Sequence, residues 1–233
     1  MNGTRKESEK RDIIKLILEK IRLENSIESV RSASAESLPA FTVLELATGG
    51  CLDTMAAVLE GFHHLGGTEN VSQAVGRQKS RLFEDLTRAH CLGDSKDWKE
   101  WTKCITHEVD YLKSGQPCPD YAPMGSNLGC GGTQGGELFL EQLEPILTLR
   151  PKIVRLEMVP SIRTVNNGEE LGLVREALSA HYHVHEKVIE CWRYGDASVR
   201  QRLFLVALRR DLFSKSDYSW PIPVFNDEAP HHP

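Results

Sequence analysis

The segment Phe41-Thr42-Val43-Leu44-Glu45-Leu46, followed by Ala47-Thr48-Gly49-Gly50-Cys51, constrains the fold more than any other part of the chain. An apolar run of strand length turns at two glycines into the helical pattern of Leu52 to Gly61, which predicts the opening unit of an α/β sheet. Two glycines let the backbone approach a ligand closely, and the start of the helix offers free N–H groups and the positive end of its dipole. Many α/β turns carry glycines without binding anything, so the later strands must decide what this one is for.

Glu108 to Leu112 reads as a short buried strand, stopped by Gly115 and Pro117, and Pro151 to Glu157 reads as another. Tyr182 to Ile189 and Leu203 to Leu208 add two more, and helical patterns at Ser95 to His107, Gly135 to Leu149 and Glu169 to Ala180 alternate with them. This alternation predicts a doubly wound, mostly parallel sheet, whose ligands sit beyond the carboxyl ends of the strands. Several chemically capable residues are expected at such ends. Cys118 follows one strand; most cysteines pack as small apolar side chains, but a thiol in this position can also serve as a nucleophile. Glu157 closes the strand that begins at Pro151, where a carboxylate is costly unless paired or solvated. Glu69 stands at about the separation from the first strand of a ribose-binding acid, with an exposed loop position as the alternative. Asp94 suits an acceptor for an adenine amino group and equally the N-cap of the helix that follows.

A chain of 233 residues with 40% apolar residues predicts one core. Residues 1–40 read as an amphipathic helix (Ile13, Ile14, Ile17, Leu18, Ile21) and a linker, 41–212 as the α/β domain and 213–233 as an extended tail. A net charge of -5 argues against a globally basic nucleic-acid coat. Cations nevertheless gather at Lys187, Arg193, Arg200, Arg202, Arg209 and Arg210, where a nucleic-acid backbone is one natural partner and a solvated turn the other reading. Six cysteines without a CxxC pair, zinc spacing or a leader predict reduced thiols in an intracellular protein. No apolar run approaches the ~20 residues of a membrane span. His181, His183 and His185 share one face but lack companion ligands at zinc-motif spacing, so no metal is expected.

The chain carries, in order, Glu45-Leu46-Ala47-Thr48-Gly49, Gly115-Gln116-Pro117-Cys118, Glu157-Met158-Val159-Pro160, and Tyr194-Gly195 with Arg200-Gln201-Arg202. With these residues it resembles the cytosine-5 DNA methyltransferase family over about Phe41 to Arg210. The resemblance implies the Rossmann-like fold of S-adenosylmethionine-dependent methyltransferases. It implies methyl transfer from S-adenosylmethionine to C5 of a cytosine flipped out of DNA, through a covalent Cys118 adduct. Cys118 matches the nucleophile, Glu157 the residue on the N3 edge, Arg202 an arginine that contacts the base and Arg200 its ordering neighbour. Glu45, Leu46, Ala47, Thr48, Gly49, Glu69, Asp94 and Pro117 match the cofactor side. The compartment implied is the nucleus of a eukaryote or the cytoplasm of a prokaryote.

The chain departs from the family pattern at several positions. Ala47 replaces an aromatic residue, Cys51 a glycine, Met158 the Asn of Glu-Asn-Val and Ser198 a Gln, and Pro119-Asp120-Tyr121-Ala122 stands for Gln-x-Phe-Ser. After Arg210 there is no room for a target-recognition region or the closing Gly-Asn motif, which leaves a place for a partner chain that supplies target recognition. Two other readings stay open: a non-catalytic methyltransferase-like regulatory or DNA-binding module, and another α/β nucleotide enzyme such as a dehydrogenase.

Overall fold

The computed structural model describes residues 41–49, 52–70, 91–132 and 136–225. The helices expected at Asp12 to Arg22 and at Val71 to Leu86 lie outside the described residues. Five strands run parallel: β1 (Thr42–Leu46), β2 (His63–Thr68), β3 (Cys91–Gly93), β4 (Tyr111–Ser114) and β5 (Ile153–Met158). The hairpin of β6 (Tyr182–Glu190) and β7 (Gln201–Arg209) joins the sheet with β7 antiparallel to β5. The resulting order is β3-β2-β1-β4-β5-β7-β6. Connections leave β1 in one direction and β4 in the other, so the sheet has its switch point between these two strands, and in such sheets ligands bind beyond the carboxyl ends at that point.

Strand alternation decides which side chains form the core. Leu44 and Leu46 of β1, Leu112 of β4, Val154, Leu156 and Met158 of β5, and Leu203, Leu205 and Ala207 of β7 are buried on one face. Helices α3 (Leu138–Glu141), α4 (Leu143–Leu149) and α5 (Glu169–Ser179) bring Phe139, Ile146, Leu171, Val174 and Leu178 into the same core. The positions of α5 recur at helical spacing, one stripe against the sheet. The intervening residues of β5, Arg155 and Glu157, are polar and point to the opposite face, towards the side of α1 (Leu52–Leu59).

The structure modifies three expectations. The helix expected over Gly135 to Leu149 is two helices that meet at Gln142. Pro145 has no N–H to give to the Glu141 carbonyl, so it is accommodated in the first turn of a new helix. The segment from Ser95 to Cys104 is a relay of 3-10 turns around the one-turn helix α2 (Trp98–Trp101). The strand expected from Glu108 starts instead at Tyr111, because Asp110 is a joint: it accepts from the Thr42 N–H at 2.7 Å and pairs with Lys152 Nζ at 2.6 Å. One carboxylate thus ties together the entries of β1, β4 and β5.

Candidate active site

The register of β7 against β5 sets the first half of the site. Glu157 lies opposite Phe204 and Met158 opposite Leu203, so Arg202 stands on the Glu157 face as its diagonal neighbour. Arg202 Nε and Glu157 Oε1 form an ion pair at 2.7 Å. Gly115, just beyond β4, explains the space left for this carboxylate: a Cβ there would lie 3.3 Å from Glu157 Oε2.

Cys118 follows on the same edge, half-buried and packed against the core, in a turn closed by the Tyr121 N–H donating to the Cys118 carbonyl at 3.1 Å. Burial pushes its thiol pKa up, and the Glu157 charge adds to the rise. The Arg202 guanidinium and the backbone N–H groups of Cys118 and Val159 oppose it without cancelling it. Cys118, Glu157 and Arg202 therefore share one electrostatic neighbourhood although they come from three separate parts of the chain. Arg200 does not join them in contact; its guanidinium pairs with Asp196 at 3.4 Å on the turn before β7, next to Cys191.

The second half lies along the ends of β1, β2 and β3. Ala47 N–H donates to Thr68 Oγ1 at 3.1 Å, Thr48 N–H to the Thr68 carbonyl at 3.0 Å, and Gly49 N–H to Glu69 Oε2 at 2.6 Å. Glu69 Oε1 accepts from the Asn70 N–H at 2.9 Å, and the Asn70 side chain donates to Asp94 Oδ2 at 3.1 Å. Asp94 also caps its 3-10 turn by accepting from the Lys96 N–H at 3.0 Å, as one of its two readings required. Gly49 has φ +51 and Gly93 φ +100, and a Cβ added to either would meet nothing within 4 Å. Among the described residues the edge is thus open where an acidic row passes it. Pro117, next to Cys118 in the chain, is exposed.

Glu45 and Leu46 are built into the interior. Glu45 is 4% exposed; it accepts from the Thr54 hydroxyl of α1 and lies 3.7 Å from Lys113 Nζ and 3.8 Å from His64 Nε2. This cluster escaped the sequence reading because Lys113 and His64 reach Glu45 only from neighbouring strands, Glu45 lying opposite Lys113, and Thr54 only from the helix packed on them. Asp120 escaped it as well. Fully buried, Asp120 accepts from Ser126 Oγ at 2.6 Å and the Gly136 N–H at 2.9 Å, and its backbone carbonyl accepts from the Gly129 N–H at 3.1 Å. A Cβ on Gly132 would lie 2.1 Å from the Asp120 carboxyl carbon, so the glycine run that follows the cysteine was the available signal.

A family profile described as C-5 cytosine-specific DNA methylase matches residues 56–232. The chain belongs to this family. Among curated methylases, the type II methyltransferase M.FnuDI of Fusobacterium nucleatum is 30% identical over 169 residues, 72% of this chain and 48% of the relative. M.Eco47II of Escherichia coli is 28% identical over 177 residues, 70% of this chain and 42% of the relative. The chain thus spans about half the length of the methylases it matches, or less. Solved structures share the fold, two of them as follows. A DNA modification methyltransferase encoded in an E. coli prophage superposes with a TM-score of 0.59 at 17% identity, over 79% of this chain and 53% of that one. The Dnmt2 methyltransferase of S. pombe gives 0.55 at 14%, over 78% of this chain and 52% of its own.

Proposed function

We propose that this chain methylates C5 of cytosine in DNA, with S-adenosylmethionine as methyl donor and a covalent Cys118 adduct on the path. The observation that carries the reading is the meeting of Cys118 with the Glu157 and Arg202 ion pair at the carboxyl edge of the sheet. Family membership supports the choice of base and atom.

Cytosine C5 is a weak nucleophile, and addition of the Cys118 thiolate to C6 makes it an enamine carbon. Glu157 would hold the N3 edge and give it a proton, and Arg202 would contact the base, so the ring takes up the electron pair displaced by the sulfur at N3. S-adenosylmethionine, when bound, supplies an electrophilic methyl group. After methylation, loss of the C5 proton returns its electron pair to the ring and expels the Cys118 thiolate. The target base must leave the duplex to reach these groups, at a cost of a few kcal/mol that contacts with the DNA offset. The open edge fits the donor: the Gly49 turn leaves room, Glu69 would accept from the ribose hydroxyls, Asp94 from the adenine amino group, and Pro117 would lie against both ligands.

Duplex DNA carrying 5-fluorocytosine tests the reading, because fluorine on C5 does not leave as a proton does. With S-adenosylmethionine present, a stable protein–DNA adduct mapping by mass to the Cys118 peptide is expected, and Cys118→Ser should give none. Methyl incorporation that survives Cys118→Ser would overturn the covalent route. Folded protein that binds S-adenosylmethionine and DNA but forms neither adduct nor product would favour a regulatory module.

A further inference from the structure

A row of charge crosses three strands beneath α1. Register places Glu45 of β1 opposite Lys113 of β4, and Lys113 opposite Arg155 of β5. Their side chains lie on the face of the sheet towards α1, away from the apolar core formed by Leu44, Leu112, Val154 and their neighbours. Lys113 is 3% exposed. Burial pushes its ammonium pKa down, Glu45 and Asp53 oppose that fall, and Arg155 beside it adds to the fall. Two cations abreast on adjacent strands repel one another, so the row is stable only where acids stand at fixed places along it.

The first turn of α1 completes the arrangement. Arg155 Nη2 donates to Asp53 Oδ2, and the Thr54 hydroxyl donates to Glu45 Oε2. Adjacent residues of one helical turn are thus gripped from β5 and from β1, strands that β4 separates. Arg155 is held from its other side as well. Its guanidinium carbon lies 5.7 Å from the centre of the Phe204 ring, and Phe204 stands opposite Glu157. Ahead of α1, the amides of Ala47, Thr48 and Gly49 are tied to Thr68 and Glu69 at the end of β2. The Gly49 turn therefore lies between two sets of anchors, and Arg155 is the anchor that shares a strand and a face with Glu157, two residues on.

We infer that Arg155 is a positioning residue: its pairing with Asp53 fixes the Gly49 turn relative to the strand that ends in Glu157. The inference rests on the methyl-transfer reading, in which that turn receives S-adenosylmethionine and Glu157 receives the base. Transfer needs the donor carbon and the acceptor carbon at a set separation, and the Asp53–Arg155 pair joins an element of the donor side to an element of the base side.

The test compares the full chain with Arg155→Gln, Asp53→Asn, the two combined, and Arg155→Lys. Amide hydrogen exchange, followed without ligand at Ala47 to Gly49, should quicken about threefold in each single variant. The combined variant should gain no more than either single one, and Arg155→Lys, which keeps the charge, should recover most of the protection. Calorimetry with S-adenosylmethionine should show affinity falling by a similar factor, and in a methyl-transfer assay its KM should rise while kcat holds. Should Arg155→Gln fail to fold, Asp53→Asn carries the test, because the Asp53 side chain is 51% exposed. Additive effects of the two substitutions, exchange that quickens as much in β6 and β7 as at the turn, or a lower kcat with KM unmoved would overturn the inference. Wild-type protein that binds no S-adenosylmethionine would overturn the methyl-transfer reading instead, and exchange at the turn would still decide the role of Arg155.

Discussion

At the scale of the residue, the reactivity of Cys118 is set by opposing neighbours. Burial and Glu157 raise its pKa while Arg202 lowers it. The alkylation rate of Cys118, followed by peptide mass against pH, should therefore rise with a midpoint above the ordinary thiol value. Glu157→Gln is expected to move that midpoint down and Arg202→Gln to move it up; shifts in one common direction would contradict the assigned geometry. The same raised pKa has a consequence for stability. The unfolded chain loses the thiol proton first, so the contribution of Cys118 to stability is present below the ordinary thiol pKa and is lost as pH rises towards the folded value. Gly115 is the companion case. Gly115→Ala would bring a methyl group within 3.3 Å of Glu157 Oε2 and force the carboxylate to give way. Under the proposed reaction, methyl transfer is expected to fall about tenfold or more, since small misplacements of a reacting group are costly, while the thermal midpoint stays nearly unchanged. The proposed roles of Cys118, Glu157 and Arg202 came from the family resemblance. Their positions near strand ends were legible in the sequence, Glu157 closing an apolar run, Arg202 preceding one and Cys118 following one past a glycine and a proline. The buried role of Glu45 was not, since Lys113 and His64 reach it only across neighbouring strands.

At the scale of the element, the segment after Cys118 folds around a carboxylate. Asp120 receives the Ser126 hydroxyl and the Gly136 N–H in the interior, and Gly136 approaches so closely that a Cβ on it would lie 1.8 Å from the Gly129 carbonyl oxygen. Asp120→Ala leaves the buried Gly136 N–H without this acceptor, a loss of about 1–3 kcal/mol, readable as a lower denaturant midpoint. The same variant should speed alkylation of Cys118, because the turn that shields it loses its anchor. Asp120→Asn keeps one acceptor oxygen and should lie between. A stable Asp120→Ala with unchanged Cys118 reactivity would show that the glycine segment holds its shape without the carboxylate. Strands proved easier to read than helices for a physical reason. β1, β5 and β7 are apolar runs whose ends are marked by polar or glycine residues, whereas the break at Gln142 depends on one missing N–H at Pro145, inside an otherwise helical pattern. The start of β4 was misjudged because Asp110, read as part of a strand, is held by Thr42 and Lys152 instead.

At the scale of the whole molecule, charge bears on how the chain would meet the DNA of the proposed reaction. The cations around β6 and β7 suggest a basic face when read along the sequence, yet the fold places acids against them. Arg193 pairs with Glu190, Arg200 with Asp196, Arg202 with Glu157 and Arg209 with Asp211, while Arg163 and Arg175 converge on Glu186. Exposed pairs of this kind contribute only about 0–1 kcal/mol to stability, but they lower the positive potential available to phosphates. Each phosphate neutralised on duplex DNA contributes about 0.9 to the slope of log affinity against log salt. With most of this stretch already paired, the slope for the chain alone should be shallow, about 2 or less in magnitude. Asp196 offers a direct check. It is exposed, held by the Ser198 N–H and hydroxyl at 2.9 Å each, and it faces Arg200. Asp196→Asn removes the acid while keeping a side chain of the same shape, so Arg200 becomes available to a phosphate and the slope should steepen by about 1. A wild-type slope steeper than about 5, or no change in Asp196→Asn, would mean that DNA contacts this chain through another surface than the β6 and β7 face.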